Sequence, residues 1–220
     1  MSKKIAVILS GCGVFDGSEI YESVITLLCL DKAGAKVQCF APDIQQMHVV
    51  NHFTGDVVEN ESRNVLAEAA RLVRGDIKDL AQAKMIDFDA VIIPGGFGAA
   101  KNLCDFAVKG SALLLNEELK RFVQAMHQAK KPVGAMCIAP AMVGKLFGEG
   151  VRFTIGDDKP TAEAIEATGA IHEVCSVNDI CIDDKNLLVT TPAYMLANNI
   201  SAAAVGVEKL VQAVLAMIKT

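Results

Sequence analysis

Pro132-Val133-Gly134-Ala135-Met136-Cys137-Ile138-Ala139-Pro140 is the stretch that decides the fold. Its first five residues are apolar without alternation, the pattern of a strand covered on both faces. Ile138-Ala139-Pro140 then begins a helix, so Cys137 sits on a strand-to-helix elbow. There the partial positive charge of a helix N-terminus favours a thiolate with a depressed pKa, and free backbone N–H groups can receive an oxyanion. A structural thiol at a turn is the alternative reading.

Similar short apolar runs stand at Ile5 to Leu9, Lys36 to Phe40, Ala90 to Ile93 and Leu187 to Thr190. Amphipathic segments of helical length lie between them, near Glu22 to Lys32, Ser62 to Leu72, Glu117 to Gln128 and Thr161 to Ala167. Strands alternating with helices predict a mostly parallel sheet with helices on both faces, a three-layer α/β sandwich. The last segment, from Ile200 to Ile218, places apolar residues at steps of three and four and predicts a helix lying on the sheet. Gly95 to Ser111 reads as the longest loop. With 220 residues, 52% hydrophobic content and no repeat or Pro/Ser-rich linker, residues 1–220 are expected to form one domain.

Ligands of open parallel sheets bind beyond the carboxyl ends of the strands. Three segments fall there: Gly11 to Glu22, Pro94 to Gly98, and Met136 to Pro140. Gly11-Cys12-Gly13 looks like a dinucleotide loop, but Asp16 stands where the third glycine belongs, so a tight turn is the plainer reading. The paired glycines of Pro94-Gly95-Gly96 let the backbone approach a ligand closely and can complete an oxyanion hole beside Cys137.

Composition narrows the partners. A net charge of -5 without a basic cluster argues against nucleic acid. Charged residues interrupt every apolar run short of the roughly 20 residues of a membrane helix, and the N-terminal apolar run is too short for a signal peptide. Seven cysteines without a C-x-x-C pair fit neither a disulfide framework nor a zinc knuckle; they point to a reducing compartment, read as the cytoplasm. His48 and His52 flank an extended Val49-Val50, a poor geometry for a metal pair, and no metal is expected.

Gly17-Ser18-Glu19-Ile20-Tyr21-Glu22, Val91-Ile92-Ile93-Pro94-Gly95-Gly96 and Gly134 to Pro140 together resemble the ThiJ/PfpI, or class I glutamine-amidotransferase-like, superfamily. Ser10 to Gly17 and Gly95 to Leu103 resemble its ElbB branch, named for enhancing lycopene biosynthesis and described as glyoxalase-like. The resemblance implies a flavodoxin-like fold, a nucleophilic Cys137, and Glu22 as a protonated carboxyl beside the thiolate that shuttles protons. It also implies an oxyanion site from the backbone near Gly96 and Ile138, no cofactor, a small 2-oxoaldehyde as substrate, and a homodimer as assembly.

From it follow a slow glutathione-independent glyoxalase that converts glyoxal to glycolate and, as the alternative, a redox-sensing or regulatory protein of isoprenoid metabolism. The superfamily's acid-base histidine is absent from Arg152 to Asp158, which leaves His172 as the remaining candidate. Glu19 reads as a plain surface acid. Glutaminase chemistry needs a His and Glu pair near the last strand, and Thr190-Thr191-Pro192-Ala193-Tyr194 supplies neither; a peptidase needs a histidine where Ile138 stands.

Overall fold

The computed structural model describes residues 2–219. Among the described residues there are nine strands: β1 Lys4–Ile8, β2 Lys36–Ala41, β3 Ile77–Asp79, β4 Ala90–Ile93, β5 Val133–Met136, β6 Arg152–Phe153, β7 Ile171–His172, β8 Cys181–Asp183 and β9 Leu188–Thr191. The α-helices are α1 Ile20–Lys32, α2 Val65–Ala69, α3 Phe97–Lys101, α4 Phe106–Lys109, α5 Glu117–Gln128, α6 Val143–Phe147, α7 Lys159–Glu166 and α8 Ile200–Met217. Seven strands form one sheet in the order β3-β2-β1-β4-β5-β9-β8, and β6 pairs with β7 separately. All neighbours in the large sheet run parallel except β8 and β9.

The central strands β4, β5 and β9 are buried at every position, as the unbroken apolar runs require. Register settles the two faces. Val7, Ile92 and Gly134 share one face, where a Cβ on Gly134 would lie 2.8 Å from Leu210 of α8. Ile8 and Phe40 share the other, where Phe40 meets Phe122 of α5 at 6.3 Å between ring centroids. Helices therefore cover both sides, and α1 packs beside α8. By length and composition α8 could cross a bilayer, yet Ala203, Gly206, Val207, Leu210, Val211 and Val214 are buried against the rest of the fold.

The expected helices end where polar caps allow. Asn116 caps α5 by accepting from the amides of Glu118 and Leu119, and Asn199 caps α8 through Ala202. Three details depart from the sequence reading. Gly95 to Ser111 is no plain loop, because it holds α3 and α4, each of about one turn and too short to show a period. Strands β3, β6, β7 and β8 are two or three residues long and partly polar, so no apolar run announces them. After Cys137 comes a 3-10 turn, Ala139–Met142, before α6 begins.

Candidate active site

The elbow itself stores strain. Met136 is still in register with Thr191 of β9, and the Cys137 amide donates to the Thr191 carbonyl at 3.0 Å. Cys137 then takes φ of 59°, a left-handed conformation that is rare for a residue with a side chain. It is held by Met136 and Thr191 on one side and the 3-10 turn on the other. The elbow expected at Cys137 is there, while the α-helix end that was to aim at the sulfur is replaced by a 3-10 turn and individual amides.

Those amides come from two turns. Gly95 donates its N–H to Oε2 of Glu22 at 2.8 Å, and its carbonyl accepts the N–H of Glu19 at 2.9 Å. The C=O and N–H of one trans peptide point in opposite directions, so fixing the Gly95 carbonyl on Glu19 turns the Gly96 N–H the other way. The backbone amides of Gly96 and Ile138 both act on the Cys137 thiol and draw its pKa down. Glycine is required at both positions. A Cβ on Gly95 would lie 2.3 Å from Cβ of Cys137 and 2.7 Å from Oε2 of Glu22. One on Gly96, where φ is 91°, would lie 2.3 Å from the Glu19 nitrogen and 2.4 Å from the Gly17 oxygen.

Glu22, in the first turn of α1, is fully buried. Its Oε1 accepts the Tyr194 amide at 3.1 Å, so the turn after β9 contributes a backbone donor although its side chains supply no His and Glu pair. Burial pushes the Glu22 carboxyl up to about 7, against the pull of the Tyr194 amide and with the help of the charge on Glu19. Burial, and then the neighbouring Glu22, push the Cys137 thiol well above its ordinary range, while Gly96 and Ile138 pull it back. The depressed thiol pKa expected from a helix end is thus corrected. A Cβ on Gly95 would meet Glu22 Oε2 at 2.7 Å and Cys137 Sγ at 2.8 Å, so thiol and carboxyl are neighbours whose proton affinities shift together.

Glu19 is also corrected. It is 7% exposed, not a surface acid, and it caps α1 by accepting the Glu22 amide on Oε2 at 2.7 Å. The Glu19-x-x-Glu22 spacing around a helix start was the signal that could have revealed this cap.

Of the predicted residues, Cys137, Glu22, Gly96 and Ile138 converge, and His172 does not join them. Its ring packs on Phe153 at 5.1 Å, and Nε2 accepts the Ile155 amide at 3.3 Å. Belonging to the separate β6–β7 pair, it has its lone pair already engaged. His52 is similarly occupied, with Nε2 accepting the Phe15 amide at 3.2 Å and Nδ1 lying 3.0 Å from the Val50 carbonyl. Asp16, at the broken third-glycine position, is buried and accepts the Val50 amide at 2.7 Å.

A model of the DJ-1/PfpI family matches residues 3–193. The chain belongs to the DJ-1/PfpI family. Among DJ-1/PfpI relatives it is 47% identical to human glutamine amidotransferase-like class 1 domain-containing protein 3, mitochondrial, over 96% of this chain and 82% of that one. It is 46% identical to the rat ES1 protein homolog, mitochondrial, over 96% and 83%. A crystal structure of an isoprenoid biosynthesis protein with amidotransferase-like domain from Ehrlichia chaffeensis superposes with a TM-score of 0.92 at 36% identity, over 99% of this chain and all of the other. Glyoxalase III of Candida albicans shares the fold at a TM-score of 0.64 and 15% identity. The mitochondrial rat and human relatives overturn the cytoplasmic location read from the thiols. All seven cysteines are free. Free thiols report a reducing environment and do not distinguish one reducing compartment from another.

Proposed function

We propose that the protein is a glutathione-independent glyoxalase that converts glyoxal to glycolate on Cys137. The observation that carries the reading is the Gly95-Gly96 peptide, which ties Glu22 at one end and offers an amide to the Cys137 sulfur at the other. Glu22 as carboxylate takes the thiol proton while sulfur adds to one aldehyde carbon. The alkoxide forms beside the Gly96 and Ile138 amides and receives that proton, giving a hemithioacetal.

Glu22 then removes the remaining hydrogen of that carbon as a proton and returns it to the neighbouring carbon, while the hemithioacetal hydroxyl proton passes to the neighbouring oxygen, leaving a glycolyl thioester. Water hydrolyses the thioester, releasing glycolate and restoring the thiol. The reaction is internally balanced, one carbon being oxidised and the other reduced, and it needs no cofactor. The preference for glyoxal over bulkier 2-oxoaldehydes follows from the resemblance to the ElbB branch.

Incubation with glyoxal, methylglyoxal and glutamine in the absence of glutathione tests the reading. Glycolate should form from glyoxal faster than lactate from methylglyoxal, glutamine should release no ammonia, and Cys137→Ser should be inactive. Ammonia from glutamine, or undiminished turnover by Cys137→Ser, contradicts it. A second reading draws on the raised Glu22 carboxyl: as an O–H donor it would stabilise a Cys137 sulfinate, formed with two equivalents of hydrogen peroxide and release of two waters. Loss of glyoxal turnover with selective peroxide oxidation at Cys137 would favour that role.

A further inference from the structure

A doubly wound sheet needs cover on both faces, and one corner of this sheet lacks it. Residues 80–89, between β3 and β4, cross the α5 face as two 3-10 turns, Leu80–Gln82 and Met85–Asp87, where a helix would otherwise lie. The strands beneath are correspondingly polar. Gln38 and Phe40 point to this face from β2, and Lys78, paired with Phe40, points to it from β3. Together with Lys4, Gln82, Lys84, Asp87 and Phe88 they line a cavity of about 600 Å³, and none of these is a residue of the Cys137 cluster.

The charge in this cavity runs against that of the chain. Three ammonium groups face it with one carboxylate, although the protein as a whole carries -5. Lys4, Lys78 and Lys84 take part in none of the ion pairs found among the described residues. Lysines gathered on a concave surface without partners raise the local positive potential and concentrate anions.

The wall is also rigid. Arg121 of α5 donates to the carbonyls of Leu80, Ala81 and Ala83 at 3.3, 3.2 and 3.1 Å, and Lys131 donates to those of Met85 and Phe88. Phe88 is wedged edge-on between Phe40 and Phe122, at 5.5 and 6.1 Å between centroids. The carbonyls of the crossing are thus held by cations outside the lining, and Lys84 projects from a fixed segment. A preformed site binds without the entropic cost of ordering a loop.

We propose that this cavity binds a small, multiply charged anion of the phosphate type. Lysine ammonium groups are compact point charges that suit phosphate oxygens, and three of them match a diphosphate better than a single carboxylate. The Gln82 side chain adds an amide donor at the same surface, while the Gln38 amide already donates to the Cys39 carbonyl at 3.2 Å. The site stands apart from the glyoxalase reading and does not depend on it.

Calorimetric titration of the full chain with inorganic pyrophosphate, at fixed ionic strength and with sulfate as reference, tests the proposal. Pyrophosphate should bind at submillimolar concentration and more tightly than sulfate, and its affinity should fall as salt rises. Lys78→Ala/Lys84→Ala should weaken binding about tenfold or more, a loss of roughly 1.4 kcal/mol or greater. Lys185→Ala and Cys137→Ser should leave it unchanged. Unaltered melting of the double variant shows that it is folded, because both lysines are exposed. Absence of heat at millimolar pyrophosphate, equal binding of sulfate, or equal binding by the double variant would overturn the proposal.

Discussion

The Cys137 elbow and the β6–β7 pair each carry a residue capable of proton transfer, and they treat it in opposite ways. At the elbow, Glu22 accepts two backbone amides and still sits beside the Cys137 thiol, so its proton affinity is shifted and remains available. In the β6–β7 pair, His172 gives Nε2 to the Ile155 amide and packs its ring on Phe153. Burial lowers its pKa, and its hydrogen bonds hold the local chain in place. A titratable side chain becomes chemistry when the backbone around it converges on a second reactive atom. Residue type alone does not decide this.

The largest expected effect comes from removing the space that convergence needs. Gly95→Ala brings a methyl within 2.3 Å of the Cys137 Cβ and 2.7 Å of Glu22 Oε2. It should abolish glyoxal turnover and lower the melting temperature, an overpacking cost of about 1–3 kcal/mol. Retained activity in this variant would mean that the Gly95-Gly96 peptide does not organise the site.

Glu22→Gln should lower turnover about 10²-fold or more while the chain stays folded. It should also change the pH profile. Below about 7 thiol and carboxyl both hold protons, and above it the pair keeps one to share. Wild-type activity should therefore rise with pH through about 7, and the variant should lack that inflection. A profile identical to wild type removes Glu22 from the reaction.

The same shift is expressed in stability. The Glu22 carboxyl holds its proton to about 7 in the fold and to about 4.5 when unfolded, so folding takes up a proton in that window. Stability contributed by the group is full below about 4.5 and is lost as pH rises to about 7, a change of about 3 kcal/mol. Chemical denaturation across this range should show wild type losing stability relative to Glu22→Gln as pH rises; a pH-independent difference would contradict the burial argument. The smallest effect is that of His172→Ala, which should cost about 1 kcal/mol and leave turnover unchanged. A loss matching Glu22→Gln would instead return His172 to the reaction.

The part of this legible in the sequence was the part written in apolar runs and glycines. Val133 to Met136 announced a buried strand, Ile200 to Ile218 announced the sheet-covering helix, and Gly95-Gly96 marked a close approach of backbone. The motifs around Glu22 and Cys137 put both residues at one sheet edge, where the fold brings them together, because they sit at helix and strand ends. Glu19 was misread because a charged residue at a helix start looks the same whether it faces water or caps the helix from inside. The Tyr194 amide was invisible because a backbone donor has no residue type, and β3 with its lysine-lined face was missed because a polar corner strand lacks the period of a buried one.

Intact-protein and peptide mass spectrometry during glyoxal turnover tests most directly the claim that sulfur at the elbow carries the chemistry. Wild-type protein, quenched in the steady state, should carry one glyoxal-derived adduct, mapped to Cys137, and Cys137→Ser should carry none there and form no glycolate. An adduct on Cys12 or Cys104 in place of Cys137, or glycolate formed by Cys137→Ser at the wild-type rate, would contradict the account.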